Sequence, residues 1–187
     1  MIHLAKIQEA AENLKGVAVH TPLVKNENLS ERFAAQVYLK REDLQPVRSY
    51  KLRGAYHKIS SLSENDIKLG VVCASAGNHA QGVAFACRKL HIKAVIYMPI
   101  TTPAQKIKQV KLFGKENVEV VLKGDTFGDA FNEALLFSQK NKAVFVHPFD
   151  DELVISGQGT VGLEIVEDSK CKIDFLFFPI GGGGLAA

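Results

Sequence analysis

The sequence predicts an α/β protein built on parallel sheets in three αβα layers, because short apolar strands alternate with helices along most of the chain. Four runs are rich in β-branched or aromatic residues and end at turn residues: 71–74, 94–98, 118–122 and 143–146. Helical spacing follows each run, at 79–90, 103–113, a stretch that ends near residue 140, and 151–167. Strands that are joined in this way form right-handed βαβ units.

Two further elements are predicted towards the ends of the sequence. Residues 1–9 have the pattern of an amphipathic helix and lack the composition of a signal peptide. Residues 173–178 form another apolar run, which predicts a fifth strand after the long helix at 151–167. No apolar run approaches the length that a membrane span requires.

The composition is that of an ordinary globular protein with little net charge. The 187 residues include 23 basic and 20 acidic ones, for a formal charge of +3, which argues against nucleic-acid binding. Cys73, Cys87 and Cys171 lie in apolar contexts, so we expect reduced core residues of a cytoplasmic protein rather than a disulfide or a metal site. Asp150 and Asp151 are typical of a helix start rather than of a metal pair. We therefore expect no metal, membrane or nucleic-acid partner.

Lys51 is the first candidate for chemistry. Ser49 is predicted to be the N-cap of a helix, which places Lys51 in the first turn, at the positive end of the helix dipole. Arg48 and Arg53 are close in sequence. Their positive charges and the helix dipole all favour a neutral amine, the form that can attack a carbonyl group. The alternative is a solvated lysine at the rim of a helix.

The loop between the strand at 71–74 and the next helix is the second candidate. Ligands of open α/β sheets bind beyond the carboxyl ends of strands, where residues 75–82 fall. Small residues there allow a close approach of the backbone, and the amides at the helix start favour an anion. Asn78 can donate and accept hydrogen bonds. The alternative is a plain turn with Asn78 as the helix cap.

A run of glycines at 181–184 is the third candidate, directly after the predicted fifth strand. Successive glycines cost backbone entropy and are expected to contribute nothing to packing, so the run needs another reason. A nest of amides around a phosphate group would supply one. The spacing fits neither a dinucleotide fingerprint nor a P-loop. The alternative is a flexible tail.

These three motifs together resemble threonine dehydratase, a pyridoxal-phosphate enzyme with the tryptophan synthase β-subunit fold (fold type II). The motifs are PVRSYKLRGAY at 46–56, ASAGNHAQGVA at 74–84 and PIGGGGL at 179–185. The similarity also includes TPL at 21–23, YLKRED at 38–43 and GQGT at 157–160. Three ordered motifs carry much more weight than any one of them alone.

The resemblance implies how pyridoxal 5'-phosphate would be bound. Lys51 would hold the cofactor as a Schiff base and would then remove the Cα proton of the substrate. Tyr50 would lie against one face of the cofactor ring, where relatives often have Phe. Asn78 would hydrogen-bond the 3′ oxygen of the cofactor. The phosphate would be bound by the glycine loop, which consists of Gly181, Gly182, Gly183 and Gly184.

The resemblance also implies a substrate and a reaction. L-Threonine would lose its β-hydroxyl and its amino group to give 2-oxobutanoate and ammonia, and L-serine would be a secondary substrate because it differs by one methyl group. His79 is interpreted as a helix-start residue rather than a base, since Lys51 already fills that role. The substrate carboxylate would be held, through backbone amides and a hydroxyl, by Ser75, Ala76, Gly77, Asn78 and His79.

A serine racemase or serine dehydratase relative is one alternative. A racemase of this family has a serine where this chain has Ala76, and an alanine cannot move a proton, so dehydration is favoured.

The resemblance places a small domain with a four-stranded parallel sheet at 47–148. Residues 1–46 and 149–187 would belong to a larger cofactor-binding domain. Related enzymes continue far beyond the glycine loop, so we expect part of a longer lyase, and the rival interpretation is a non-catalytic module. The family's properties also imply a homo-oligomer that serves amino-acid metabolism, such as isoleucine biosynthesis, in the cytoplasm.

Overall fold

The computed structural model describes residues 2–187, which form eight α-helices and six β-strands. In chain order these are α1 (Leu4–Asn13), β1 (Leu23–Lys25), α2 (Glu27–Phe33), β2 (Tyr38–Lys40), α3 (Lys51–Ser60), α4 (Glu64–Leu69), β3 (Val71–Ala74), α5 (Asn78–Leu90), β4 (Ala94–Met98), α6 (Ala104–Gly114), β5 (Val118–Leu122), α7 (Phe127–Asn141), β6 (Val144–Phe145) and α8 (Glu152–Asp168). The helix predicted at 1–9 is found from Leu4 onward, and Met1 lies outside the described residues.

The predicted parallel sheet is confirmed. Its strands lie in the order β5-β4-β3-β6, and each of the three neighbouring pairs is parallel. The strands β3, β4 and β5 have the predicted bounds, whereas β6 keeps only two of the four residues expected. A second, two-stranded sheet of β1 and β2 is antiparallel and was not predicted, because three-residue strands leave too little pattern to recognise.

Helices cover both faces of the parallel sheet, so the three-layer arrangement is confirmed. Cys73 of β3 and Ile96 of β4 point to the face covered by α3, α5, α6 and α8. Their neighbours Val72 and Tyr97 point to the opposite face, where α7 packs with Ala130. Both faces are buried, which explains why these strands have continuous apolar runs rather than alternating ones.

The predicted fifth strand is wrong. Residues 173–178 have no regular secondary structure, and Phe175 and Phe177 are 81% and 90% exposed. A strand needs a neighbour for its backbone N–H and C=O groups, and no strand in residues 2–187 pairs with this segment. The core prediction also fails for Cys171, which is exposed, whereas Cys73 and Cys87 are buried.

The helix starts support two other sequence interpretations. Asp151 is the N-cap of α8, and its carboxylate accepts hydrogen bonds from the amides of Leu153 at 2.9 Å and Val154 at 3.1 Å. This is the helix-start role expected of it. Within residues 2–187, no helix combines the length and the apolar composition needed to cross a membrane.

Helices α3 and α8 cross in close contact at two glycines. A Cβ atom on Gly157 would lie 2.6 Å from the Cα of Gly54 and 2.8 Å from the carbonyl oxygen of Arg53. A Cβ atom on Gly54 would lie 2.5 Å from the carbonyl oxygen of Val154. The backbones therefore meet directly, and α8 fixes the position of α3 without intervening side chains.

We expect Gly157→Ala to lower the free energy of unfolding by about 1–3 kcal/mol, because the new methyl group would push α3 and α8 apart. Gly162→Ala is the matched control in the same helix. A Cβ atom there meets nothing within 4 Å, so this change should stabilise by about 0.5–1 kcal/mol through helix propensity. Urea unfolding measures both changes, and equal effects at the two sites would contradict the close crossing.

Candidate active site

Lys51 is the first residue of α3, and the N-cap is Tyr50 rather than the predicted Ser49. Ser49 lies one residue too early for its hydroxyl to reach the first amides of the helix. Its Oγ is buried and has no hydrogen-bond partner within residues 2–187. The start of α3 therefore places an unpaired buried hydroxyl two residues before Lys51.

The Nζ atom of Lys51 is held beside backbone and aromatic groups. It donates a hydrogen bond to the carbonyl oxygen of Pro148 at 2.8 Å and lies 5.4 Å from the centroid of the Tyr50 ring. Burial lowers the pKa of Lys51 below its ordinary value. The predicted shift is confirmed in direction, but its cause is burial, because Arg48 is exposed and Arg53 is paired with carboxylates.

The first turn of α5, which follows the second candidate loop, lies next to Lys51. A Cβ atom on Gly82, one turn into α5, would lie 2.9 Å from the carbonyl oxygen of Lys51, so the two helices touch at their first turns. Asn78 is the first residue of α5 and is exposed, while Gly77 is the N-cap, so the interpretation of Asn78 as a cap is wrong. The buried Ser75 accepts a hydrogen bond from the amide of Gly77 at 3.1 Å.

His79 points away from solvent. Its side chain is 3% exposed, and Nε2 lies 2.9 Å from the carbonyl oxygen of Val146. Burial lowers the pKa of His79 to about 4, and the charges of Lys51 and His147 act in the same direction. Any contact between this residue and a substrate would therefore come from its backbone and not from its imidazole.

The glycine loop packs against an aromatic ring. Cβ atoms on Gly182 and Gly184 would lie 2.2 Å and 3.0 Å from side-chain atoms of Phe149. The expectation that these glycines contribute nothing to packing is therefore wrong. Gly183 has a φ of +91°, and its carbonyl oxygen accepts a hydrogen bond from the amide of Ala186 at 2.8 Å, so the loop ends in a defined turn. Lys51 binds Pro148 and the glycine loop packs against Phe149, so both contact the same short segment of the chain.

The residues present fit a cofactor that carries an aldehyde, a phenolic oxygen and a phosphate group. Lys51 supplies the amine, Asn78 an exposed amide group, and the glycines at 181–184 successive backbone amides, with open space at the Cβ positions of Gly181 and Gly183. One buried polar atom next to these groups, Ser49 Oγ, has no partner within residues 2–187. A ligand that supplied a hydrogen bond would account for it.

A buried charge network that the sequence did not reveal holds α3 in place. The guanidinium of Arg53, 1% exposed, binds Glu42 at 2.7 Å and 2.9 Å and Glu164 at 2.6 Å and 3.0 Å. Lys40 continues the network to Glu164 at 2.7 Å and Asp168 at 3.0 Å. Arg53 and Glu164 are 111 residues apart in sequence, so no local signal could have connected them.

The fold and this site define a pyridoxal-phosphate enzyme of fold type II. The chain belongs to the family described as pyridoxal-phosphate dependent enzyme, which matches residues 15–187. Among solved structures, it is similar to threonine deaminase isoform 2 from Solanum lycopersicum, with a TM-score of 0.90 and 46% identity over 97% of this chain and 49% of that one. A serine racemase from maize gives a TM-score of 0.92 with 31% identity over 99% of this chain and 55% of that one.

Curated relatives agree with these structures. The biosynthetic L-threonine dehydratase of Halalkalibacterium halodurans is 59% identical over 98% of this chain and 44% of its own length. That of Bacillus subtilis is 53% identical over 99% of this chain and 44% of its own length. The chain thus spans less than half of the curated relatives it matches.

We expect Arg53→Met to lower the free energy of unfolding by about 3–5 kcal/mol, because it leaves two carboxylates facing each other without their shared cation. Arg41→Met is the control: this guanidinium pairs with Asp43 at 2.7 Å on the surface, and its loss should have little effect. Chemical unfolding measures both variants. Similar losses in the two variants would show that burial of the Arg53 network adds nothing to the free energy of unfolding.

The shifted pKa of His79 predicts a pH-dependent stability. The pKa falls from 6.5 to about 4 on folding, so the unfolded chain binds more protons between these values. Stability should therefore decrease as the pH is lowered through this window, with a contribution from His79 of up to about 3 kcal/mol. Urea unfolding of His79→Gln at several pH values should give a flatter profile. Identical profiles would contradict the shift.

Proposed function

We propose that this chain forms the lysine-bearing part of a threonine dehydratase, which converts L-threonine to 2-oxobutanoate and ammonia. The observation that carries the proposal is the 59% identity to a biosynthetic L-threonine dehydratase over 98% of the chain, which includes Lys51 and the loops around it. Pyridoxal phosphate, when bound, supplies the electron sink that makes the Cα proton of the substrate removable.

Lys51 performs the proton transfer in this proposal. Its Nζ must be unprotonated in order to accept the Cα proton, and burial favours the neutral amine by lowering its pKa. The carbonyl of Pro148 directs one N–H bond and so orients the lone pair of the same nitrogen. The half-buried Tyr50 lies beside this nitrogen and would present a flat face to the cofactor ring.

The two loops would bind and orient the anionic groups. The substrate carboxylate would be held at the start of α5 by the amides of residues 76–79 and by the hydroxyl of Ser75, where the helix dipole favours negative charge. The amides of Gly181–Gly184 would surround the phosphate group. The exposed side chain of Asn78 would donate to the 3′ oxygen of the cofactor.

Dehydration is favoured over racemisation by the sequence at one position and by the comparisons. Ala76 carries no group that could move a proton on the face opposite Lys51. The identity to the racemase from maize is 31%, against 59% to the dehydratase of Halalkalibacterium halodurans. L-Serine would be turned over as a secondary substrate, because a pocket distinguishes one methyl group by only about 10–200-fold.

The wider setting belongs to the same proposal. The four strands of the parallel sheet all fall within 47–148, which supports a small domain there, with 1–46 and 149–187 as part of a larger one. The relatives' names support a role in amino-acid biosynthesis. A homo-oligomer in the cytoplasm would fit such an enzyme.

The proposal predicts that the purified chain binds pyridoxal phosphate covalently at Lys51. Visible absorbance should appear on addition of the cofactor, and borohydride reduction should mark Lys51 in a peptide map. Lys51→Ala should abolish both signals, because no other amine would occupy this position. Lys58→Ala is the control on the same helix, where the lysine is paired with Asp151 at 2.8 Å, and it should retain both signals.

Release of 2-oxobutanoate from L-threonine then tests the activity. Turnover by the wild-type chain and its loss in Lys51→Ala would support the dehydratase. Visible absorbance without turnover would support the cofactor site and would contradict catalysis by this chain alone. Unchanged spectra in Lys51→Ala would overturn the site itself.

A further inference from the structure

One short segment touches the candidate site at two points. Residues 146–149 are the first part of the connection 146–151 between β6 and α8. The carbonyl oxygen of Pro148 accepts the hydrogen bond from Lys51 Nζ at 2.8 Å. The ring of Phe149 packs against Gly182, and a Cβ atom on Gly184 would lie within 3.0 Å of the carbonyl oxygen, Cα and Cβ of the same residue. Any displacement of this segment would move the partner of the lysine and the support of the glycine loop together.

The sheet alone holds this segment weakly. Strand β6 has only two residues and pairs on one side, with β3. The amide of Val146 donates to the carbonyl oxygen of Val72 at 2.8 Å, which is the last bond of this ladder. Beyond Val146, the chain leaves the edge of the sheet, and its further anchors lie outside the ladder. One is local, because Nδ1 of His147 accepts a hydrogen bond from the amide of Asp150 at 2.7 Å.

His79 supplies such an anchor from α5. Its Nε2 lies 2.9 Å from the carbonyl oxygen of Val146, and a carbonyl can only accept, so Nε2 carries the proton. Burial keeps this imidazole neutral at ordinary pH, since its pKa is about 4. Nδ1 is buried without a partner within residues 2–187, so the bond to Val146 is the only one that fixes the ring there.

We propose that His79 is a positioning residue that holds the segment 146–149 against Lys51 and the glycine loop. This inference rests on the proposed function, because it assigns a purpose to the placement of the cofactor-binding groups. His79 does not touch the reacting atoms in this account. It acts through Val146 and Pro148 on the direction of the Lys51 amine, and through Phe149 on the loop that would receive the phosphate.

A purely structural role for His79 would give different results from a positioning role. A core histidine that only fills space would lower stability when replaced, with no change in cofactor binding by the molecules that remain folded. A positioning histidine would also change how tightly and how fast Lys51 captures the cofactor. A replacement that keeps an N–H donor at a similar reach would restore this capture.

The experiment compares His79→Leu, which removes the donor, with His79→Gln, whose amide nitrogen can reach the Val146 carbonyl. His57→Leu is the matched control: His57 is also buried, at 2% exposure, and contacts Asn13 at 3.0 Å six residues further along α3 than Lys51. The affinity for pyridoxal phosphate is measured by visible titration, and the rate of capture by borohydride trapping at Lys51. Circular dichroism and urea unfolding establish that each variant is folded.

We expect His79→Leu to weaken the apparent affinity about tenfold and to slow trapping at Lys51, which corresponds to the loss of one hydrogen bond. His79→Gln should stay within about threefold of the wild type, and His57→Leu should bind normally despite lower stability. If His79→Leu does not fold, His79→Asn takes its place, because its amide is too short to reach Val146.

Two failures can be told apart. A wild-type chain that does not capture the cofactor would overturn the proposed function, and the inference with it. A wild-type chain that captures the cofactor as tightly and as fast as His79→Leu or His79→Asn would overturn the inference alone. Equal losses in His79→Leu and His57→Leu would likewise assign His79 a structural role.

Discussion

The buried guanidinium of Arg53 is the interaction on which the position of Lys51 depends. A cation that is 1% exposed cannot be released to water without leaving two carboxylates uncompensated, so α3 stays attached to α8 and to the turn at Glu42. The glycine crossing of α3 with α8 fixes their separation, and the contact at Gly82 fixes α5. Because α8, the turn at Glu42 and α5 are all fixed against α3, the position of Lys51, the first residue of α3, is also fixed.

The parallel sheet brings the remaining groups to the same place. Strands β3 and β6 are neighbours and run in the same direction, so the loops that follow them leave the sheet at one edge. One loop carries residues 75–78 and leads into α5, which contacts Lys51 at Gly82, and the other carries 146–149 and accepts the hydrogen bond of Lys51 at Pro148. Residues from three distant parts of the sequence therefore meet at the start of α3.

The sequence predicted the elements whose signals are local and missed those that depend on a distant partner. Strands buried on both faces gave apolar runs, and so did 173–178, which pairs with no strand in residues 2–187 and stays irregular. Arg53 seemed to repel Lys51 because it is two residues away, but residues so spaced lie on nearly opposite sides of a helix. Its partner Glu164 is 111 residues distant, and the ring of Phe149 that explains the glycines was equally invisible to a local pattern.

Because burial rather than neighbouring charge lowers the pKa of Lys51, its reactivity is tied to the packing around it. A nearby cation would lower this pKa through a screened field, and that effect would persist if the packing around Lys51 loosened. The effect of desolvation is lost when water reaches Nζ. One N–H bond of this amine is donated to the carbonyl oxygen of Pro148. The hydrogen bonding of the lysine is therefore tied to a short loop after a two-residue strand, and in our proposal a buried histidine on the neighbouring helix holds that loop in place.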